Sequence, residues 1–537
     1  MPSVRGEIIR QVTDEYLATT KGQDPNTPPD VVQGDILEEI EKRIVAENAI
    51  RATGTKWQVP VKLSPFQIAD IIAVRHPIAL IPIAGRNSDR EYCLLGLYQD
   101  TGDNAGLYDT SDEVIDELAE SYCYEMTEFE LKEMKRVLRR KAPCKFPTME
   151  KNLIAVNNGI FDFDKKILLP FSSDYVFMSK CRVDYNVNAK NVVIHNPEDN
   201  TDWDVESWMQ DLFDDSEIVD LMWKILGAIV RPNVPWGKSA WFYSESGNNG
   251  KGTLCELMRQ LCGENSYAAI SLADMGKDFM LEPLIRAVAV IVDENDVGTY
   301  IDKAANLKAI ITGDGVQINR KFKTPIAFQF HGFMVQCLNE MPRIKDKSDF
   351  FYRRQLFIPF TKCFTGAERK YIKQDYLKRK DVLEYVLWKV LNMDYYELPT
   401  PQACQMALEE YKEFNDPVRE FVSEIFPELQ WDLIPFTFLY DLYVSWYKKA
   451  IGNHEVLSRK SFVKKILFIL EKSPDWDVSE KSKSWSPIGR MDRPEPLIDE
   501  YDLKDWMNPM YLSSTDVSKK CIPLLKVNYR GIVRVSS

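Results

Sequence analysis

The run SGNNGKGT at 246–253 sets one lysine, Lys251, among glycines and asparagines. Residues of these types hold phosphate when the chain bends tightly between a strand and a helix. Successive backbone N–H groups then point into one hollow above a helix N-terminus. Gly247, Asn248, Asn249 and Gly250 tolerate the positive φ of such a bend, and Lys251 supplies charge for the β and γ phosphates. Two positions depart from the usual pattern. Glu245 stands where the first glycine belongs, and Gly252 replaces the Ser or Thr that binds magnesium. The expectation is that Gly247 makes the bend, that Glu245 turns outward, and that Thr253 holds magnesium through water.

Chemistry on a bound triphosphate also needs a carboxylate for the metal and a group to orient the attacking water. RAVAVIVDEND supplies both: Ala287 to Val292 read as a buried parallel strand, with Asp293 and Glu294 at its tip. Asp293 is expected to bind magnesium through water and Glu294 to polarise the hydrolytic water. A third apolar run, Phe333 to Leu338, ends in Asn339, whose amide is placed to bond that water. Arg353 and Arg354 precede a further strand and are candidates for an arginine finger contributed to a neighbouring subunit.

These residues require a scaffold of alternating strands and helices. Trp241 to Tyr243 predict the strand before the loop, TLCELMRQLCG predicts the helix after it, and the alternation continues to about Phe360. The sequence therefore predicts an α/β core, 236–365, with a mixed α+β N-terminal region, 1–145, before it. A linker and helical domain, 146–235, joins the two. A helical extension, 366–415, and a winged-helix-like module, 416–537, follow. In the N-terminal region, IALIPIA and EYCLLGLYQD read as strands, and 112–143 as one helix, acidic early and basic late. Asn152 to Phe171 reads as a hairpin with turns at Asn158-Gly159 and Asp164-Lys165.

Bulk composition excludes several classes. No apolar run is long enough to cross a membrane and the charged start lacks a signal core, so a cytoplasmic protein, in a host cell if viral, is expected. Ten cysteines occur without a Cys-x-x-Cys pair and the four histidines lie far apart, which argues against a zinc site or a disulfide framework. A net charge of −13 argues against a surface that coats nucleic acid throughout, but not against a local basic channel.

The order of motifs, SGNNGKGT, VIVDEND, LKAIITGDGVQINRKFKTPIAF, MVQCLNEMP and FFYRRQLFIPF, resembles the superfamily 3 helicases. It looks most like the phage and plasmid primase-helicase branch that includes the poxvirus primase-helicase. The resemblance covers Asn152 to Phe360 and extends more weakly into the C-terminal module. It implies an AAA+-type P-loop ATPase core, a homo-oligomeric ring (a hexamer), ATP and Mg2+ as ligands, and translocation on single-stranded or forked DNA. Lys251 and Thr253 then fall in Walker A, Asp293 and Glu294 in Walker B, Asn339 is the sensor, and Arg353 or Arg354 the finger. The basic turn between two strands, with Arg320, Lys321, Phe322 and Lys323, is expected to line the pore. Its cations would follow backbone phosphates and Phe322 would pack on a sugar or base.

No cluster of acidic metal ligands in 1–150 suits a polymerase centre, so that region reads as a collar, a partner-docking surface or a DNA-entry element, and a separate primase or replication factor is a candidate partner. The C-terminal FTFLYDLYVSWYKKAIGNHEVLSRKSFVKKILFIL predicts two helices, Ser458 capping the second, followed by a hairpin-like KSWSPIGR wing. The GKGT variant, shared with adenylate kinases, keeps a nucleotide phosphotransferase as a second reading. An ATP-bound initiator that does not unwind DNA is a third.

Overall fold

The computed structural model describes residues 4–83, 90–301, 304–321, 323–346, 348–366, 369–450, 456–471, 473–478 and 483–535, without the side chains of Glu91 and Lys323. The mixed α/β chain forms two compact units, 1–407 and 408–537.

Five apolar runs build the central sheet of the first unit: β1 (Ser239–Tyr243), β2 (Tyr267–Ala268), β3 (Ala289–Val292), β4 (Phe333–Leu338) and β5 (Gln355–Pro359). All neighbours are parallel, in the order β2-β3-β4-β1-β5. Every residue of β3 and β4 is buried. That explains why these segments lack polar alternation: helices cover both faces of a parallel sheet. Helices Ser216–Val230 and Lys380–Asn392 share their core with the strands through Leu221, Ile225, Val386 and Leu387. β1 leads through a loop, 244–250, into helix α1 (Lys251–Cys262). The chain then crosses over β4 and β3 to reach β2, so strand order reverses beside β1. Crevices at the carboxyl ends of strands form at such reversals.

Between β3 and β4 lies the hairpin Gly315–Arg320/Lys323–Gln329, with Val316 opposite Phe328. Upstream, Ile78–Ile81 and Leu94–Tyr98 pair antiparallel as their patterns require. The segment expected as one helix, 112–143, is two: Asp112–Tyr122 and Glu128–Lys141. The second starts at Thr127, whose hydroxyl accepts from Glu130 N while Glu130 reaches back to Thr127 N, a reciprocal cap that restarts the helix. The expected hairpin at 152–171 carries three antiparallel strands across its two turns.

In the second unit, helices Pro417–Ile425, Phe436–Ala450 and Arg459–Leu470 enclose Phe421, Tyr443, Trp446 and Phe462. Ser458 caps the third, accepting from Ser461 N. The wing differs from expectation. Ser484–Trp485 does not pair with Trp476–Asp477. Both pair with the terminal strand Tyr529–Arg534, which also holds Leu433–Pro435. No helix among the described residues is long and apolar enough to cross a membrane.

Candidate functional site

The loop between β1 and α1 bends at Asn248 (φ 53°) and Gly250 (φ 89°). Gly247 does not make the bend, contrary to expectation; its φ is not positive and a Cβ there would meet open space. Gly250 has a second constraint, because a Cβ would come within 2.7 Å of the Leu212 side chain. Glu245 is exposed and accepts from the Tyr243 hydroxyl at 2.8 Å, so it turns away from the loop. Asn249 is buried and ties the turn from within: its amide donates to Ser246 O and its Oδ1 accepts from Lys251 N.

Lys251 is only 5 % exposed. Its ammonium donates to Ser244 O (3.1 Å), Leu338 O (3.1 Å) and Asn339 Oδ1 (3.0 Å). The loop thus meets the tip of β4 directly, and Lys251 and Asn339 touch although 88 residues separate them in sequence. Every partner is a neutral oxygen; no carboxylate pairs with Lys251 among the described residues. Burial pushes its pKa down. A buried ammonium without a counter-charge is costly, and an anion brought into the hollow offsets that cost.

Asp293 and Glu294 follow β3 as expected, and both are exposed. Glu294 has no hydrogen bond or ion pair among the described residues. Asp293 is engaged: its Oδ2 lies 2.6 Å from Arg259 on α1, which also approaches Glu256 at 3.4 Å. Burial alone would lower the Arg259 pKa, but the Asp293 carboxylate more than offsets it and the net shift is upward. The sequence reading did not single out Arg259.

Nor did it single out Asn295. That side chain is buried; Nδ2 donates to Gln336 Oε1 (2.9 Å) and Cys337 O (3.0 Å), and Oδ1 accepts from Leu272 N (2.9 Å). Gln336, fully buried on β4, continues the network to Ile270 O at 3.1 Å. Asn295 thereby fastens the Asp293–Glu294 tip to β4 and to the segment after β2. A glutamine inside an otherwise apolar strand was the one signal for it.

The groups that could meet a triphosphate at the hollow are Lys251, the 250–253 backbone and the half-buried Thr253. Direct ligation of magnesium by the protein does not fit. Position 252 carries no hydroxyl, and the Asp293 carboxylate is held by Arg259. Among the described residues no cluster of three or more His, Cys, Asp or Glu could hold a metal.

Beside the loop opens a cavity of about 510 Å3, bounded by Trp208, Leu212, Thr253, Phe364 and Lys373. Phe364 N donates to Asn248 O at 2.8 Å, so this wall is fixed to the bend. Apolar rings beside cations such as Lys362 and Lys373 suit a nucleoside. A larger cavity, about 800 Å3, lies at the opposite end of the sheet near Phe177, Phe328 and His331. Its lining includes Glu150 and Asp174 and no Lys or Arg, so it does not suit phosphate.

The remaining candidates lie away from the hollow. Arg353 and Arg354 precede β5, where Gln355 pairs with Ser239, whereas the loop leaves β1 after Tyr243. About 13 Å of strand separates the two ends. Arg353 is exposed and its guanidinium lies 4.6 Å from the Phe350 ring centroid. Arg354 is folded back onto Phe350 O. In the hairpin, Lys321 is exposed, while Arg320 donates to Thr324 O at 2.9 and 3.3 Å. Burial lowers the Arg320 pKa. Phe322 and the Lys323 side chain lie outside the described residues.

A parallel sheet with a basic loop at its carboxyl edge makes the first unit an α/β protein. Two family descriptions match on either side of that loop: "D5 N terminal like" over 42–214 and "Poxvirus D5 protein-like" over 413–508, together half of the chain. The chain belongs to the D5-type primase-helicase family, the branch its motif order resembles. A family of unknown function (DUF5906) matches 242–354, the stretch holding the loop and the strand tips. Among solved structures, an A form apo structure of the NrS-1 C terminal region is similar at 13% identity, covering 88% of this chain and 100% of that one, with a TM-score of 0.41. An apo structure of NrS-1 305–718 is similar at 14% identity, covering 79% and 97%, also with a TM-score of 0.41. No match was found among curated proteins.

Proposed function

We propose that this chain is an ATP-driven DNA helicase of replication that works as a homo-oligomeric ring, a hexamer, on single-stranded or forked DNA. The observation that carries the reading is the buried Lys251 ammonium, which has only neutral partners and lies where the ends of β1 and β4 meet. The sheet order agrees with it, because the reversal beside β1 opens a crevice at that edge. Family membership supports a role in DNA replication.

On this reading Lys251 and the 250–253 backbone hold the β and γ phosphates. Glu294, exposed and unpaired, polarises the water that attacks the γ phosphorus, and ADP leaves as that P–O bond breaks. Asn339 touches Lys251 and would sense the γ phosphate. Arg353, exposed at the far edge, acts in a neighbouring subunit's site; Arg354 is less available because it is folded onto Phe350 O. Magnesium enters only as the counter-ion that ATP brings. Lys321 and its neighbours in the hairpin contact the DNA backbone.

The test is Lys251→Ala in the full chain, with DNA-stimulated ATPase and forked-duplex unwinding as readouts. Both are expected to fall more than about 100-fold. ATPase retained in the variant rejects the site. Phosphate transfer from ATP to a nucleoside monophosphate, without stimulation by DNA, would establish the phosphotransferase reading instead.

A further inference from the structure

The loop lacks the two protein groups that would fix magnesium against a triphosphate, the hydroxyl at 252 and a free carboxylate at 293. The first unit places a different cation there. A Cβ built on Gly252 would lie 3.6 Å from the Lys373 ammonium and would meet nothing else within 4 Å. Lys373 sits on the short helix Lys370–Gln374, which follows β5 in the chain. It is exposed, has no hydrogen bond or ion pair among the described residues, and borders the same cavity as Thr253 and Phe364.

We propose that Lys373 is a second phosphate-binding cation of this site, its ammonium standing beside the space that a Ser or Thr side chain at 252 would take. This rests on the nucleotide reading above. Lys251 has its charge buried, and Lys373 is exposed beside Gly252. Together they supply the positive charge that a loop with a coordinating hydroxyl obtains from a firmly held metal. Binding of the triphosphate would then depend less on magnesium and more on ionic strength, because one of its cations is exposed.

The test uses the full chain and displacement of a fluorescent trinitrophenyl-ATP by ATP, by inorganic tripolyphosphate and by AMP, in magnesium and in EDTA. Lys373→Ala is expected to weaken ATP and tripolyphosphate about ten-fold in both buffers and to leave AMP within about two-fold. Lys373→Arg should keep binding within about three-fold of the parent. Gly252→Ser added to Lys373→Ala should recover affinity only when magnesium is present. Thermal unfolding of each variant confirms that the fold is retained.

If Lys373→Ala binds tripolyphosphate like the parent while Lys251→Ala does not bind it, Lys373 has no such role and the nucleotide site stands. If Lys251→Ala also binds like the parent, the nucleotide site itself fails and this proposal fails with it.

Discussion

The 244–250 loop has two unlike neighbours. On its strand side, Lys251 reaches β4, Asp293 is paired with Arg259, and Asn295 and Gln336 lock the tips of β3 and β4 together. On its helical side, Phe364 N touches the bend and the helix Lys370–Gln374 leaves Lys373 exposed beside a cavity. The strand side holds a buried hydrogen-bond network through Lys251, Asn295 and Gln336 and is set by the register of a parallel sheet. The helical side is open and set by where a short helix comes to rest. A site built this way has one fixed wall that orients phosphate and one adaptable wall that admits the ligand. Substitutions on the first should damage stability and chemistry together, and those on the second should change affinity alone.

The largest effect is expected at Asn295. Leucine there would strand Gln336 Oε1, Cys337 O and Leu272 N in a buried place. Unsatisfied buried groups cost about 1–3 kcal/mol each, partly relieved by relaxation, so Asn295→Leu should lose about 4 kcal/mol of stability. Calorimetry would read this as a lowered transition of the first unit, and ATPase should fall with it. An unchanged transition would break the comparison, because the strand side would then not be the rigid one.

A second substitution separates the two units. Glu495 is fully buried in the second unit; its Oε2 accepts from Gln430 N at 2.8 Å and its Oε1 has no hydrogen-bond partner among the described residues. Burial pushes its pKa up to about 7, against the opposing pull of backbone N–H groups. A raised carboxyl pKa means that the fold prefers the protonated form. Its stability is fully present below the ordinary value of 4.5 and is lost as pH rises through about 7. Glu495→Gln removes that dependence. It should stabilise the second unit by about 2 kcal/mol at pH 8, less than the full shift implies because the new amide lacks an acceptor. Unfolding followed from pH 5 to 8 should show a falling transition in the parent that is absent from the variant. Parallel pH curves for the two proteins would refute the assignment. Loss of ATPase in the first unit can then be told from loss of the second.

What the sequence disclosed follows the same division. Asp293 and Asn339 were legible because each follows a buried strand in a short pattern, and Lys251 because it opens the helix after a Gly/Asn loop; a parallel sheet brings such ends to one edge. Arg259 was not legible as the partner of Asp293, since its place two turns along α1 acquires meaning only when β3 lies beside that helix. Asn295 stood in plain view after Asp293 and Glu294, yet short polar residues at strand ends are commonly solvated. Only pairing with Gln336 across β3 and β4 buries it. Lys373 gave no signal at all, being one lysine in a charged segment. In the second unit, the wing was misread because the strand that completes it, Tyr529–Arg534, arrives from far along the chain. Thr127 could have been read, since the spacing to Glu130 announces a helix start inside what resembled a single helix.

The smallest effect should come from Phe364, and it tests the helical side most directly. Its ring is half-buried at the cavity wall, while its N–H, the group that fixes the bend, belongs to the backbone. Phe364→Ala therefore keeps the bond to Asn248 O and removes the surface offered to a base, together with the ring's packing against the edge of the core. Losing one stacking contact costs about 1 kcal/mol, which corresponds to a fall in ATP affinity of about five-fold. Inorganic tripolyphosphate has no base and should bind the variant as it binds the parent, and the unfolding transition should fall by no more than about 3 °C. The contrast with Asn295→Leu is then complete: affinity for the base falls with the fold intact on one side, and the fold falls on the other. A loss of tripolyphosphate binding in Phe364→Ala would mean that the ring supports the bend itself, and the adaptable wall would have to be counted as part of the rigid one.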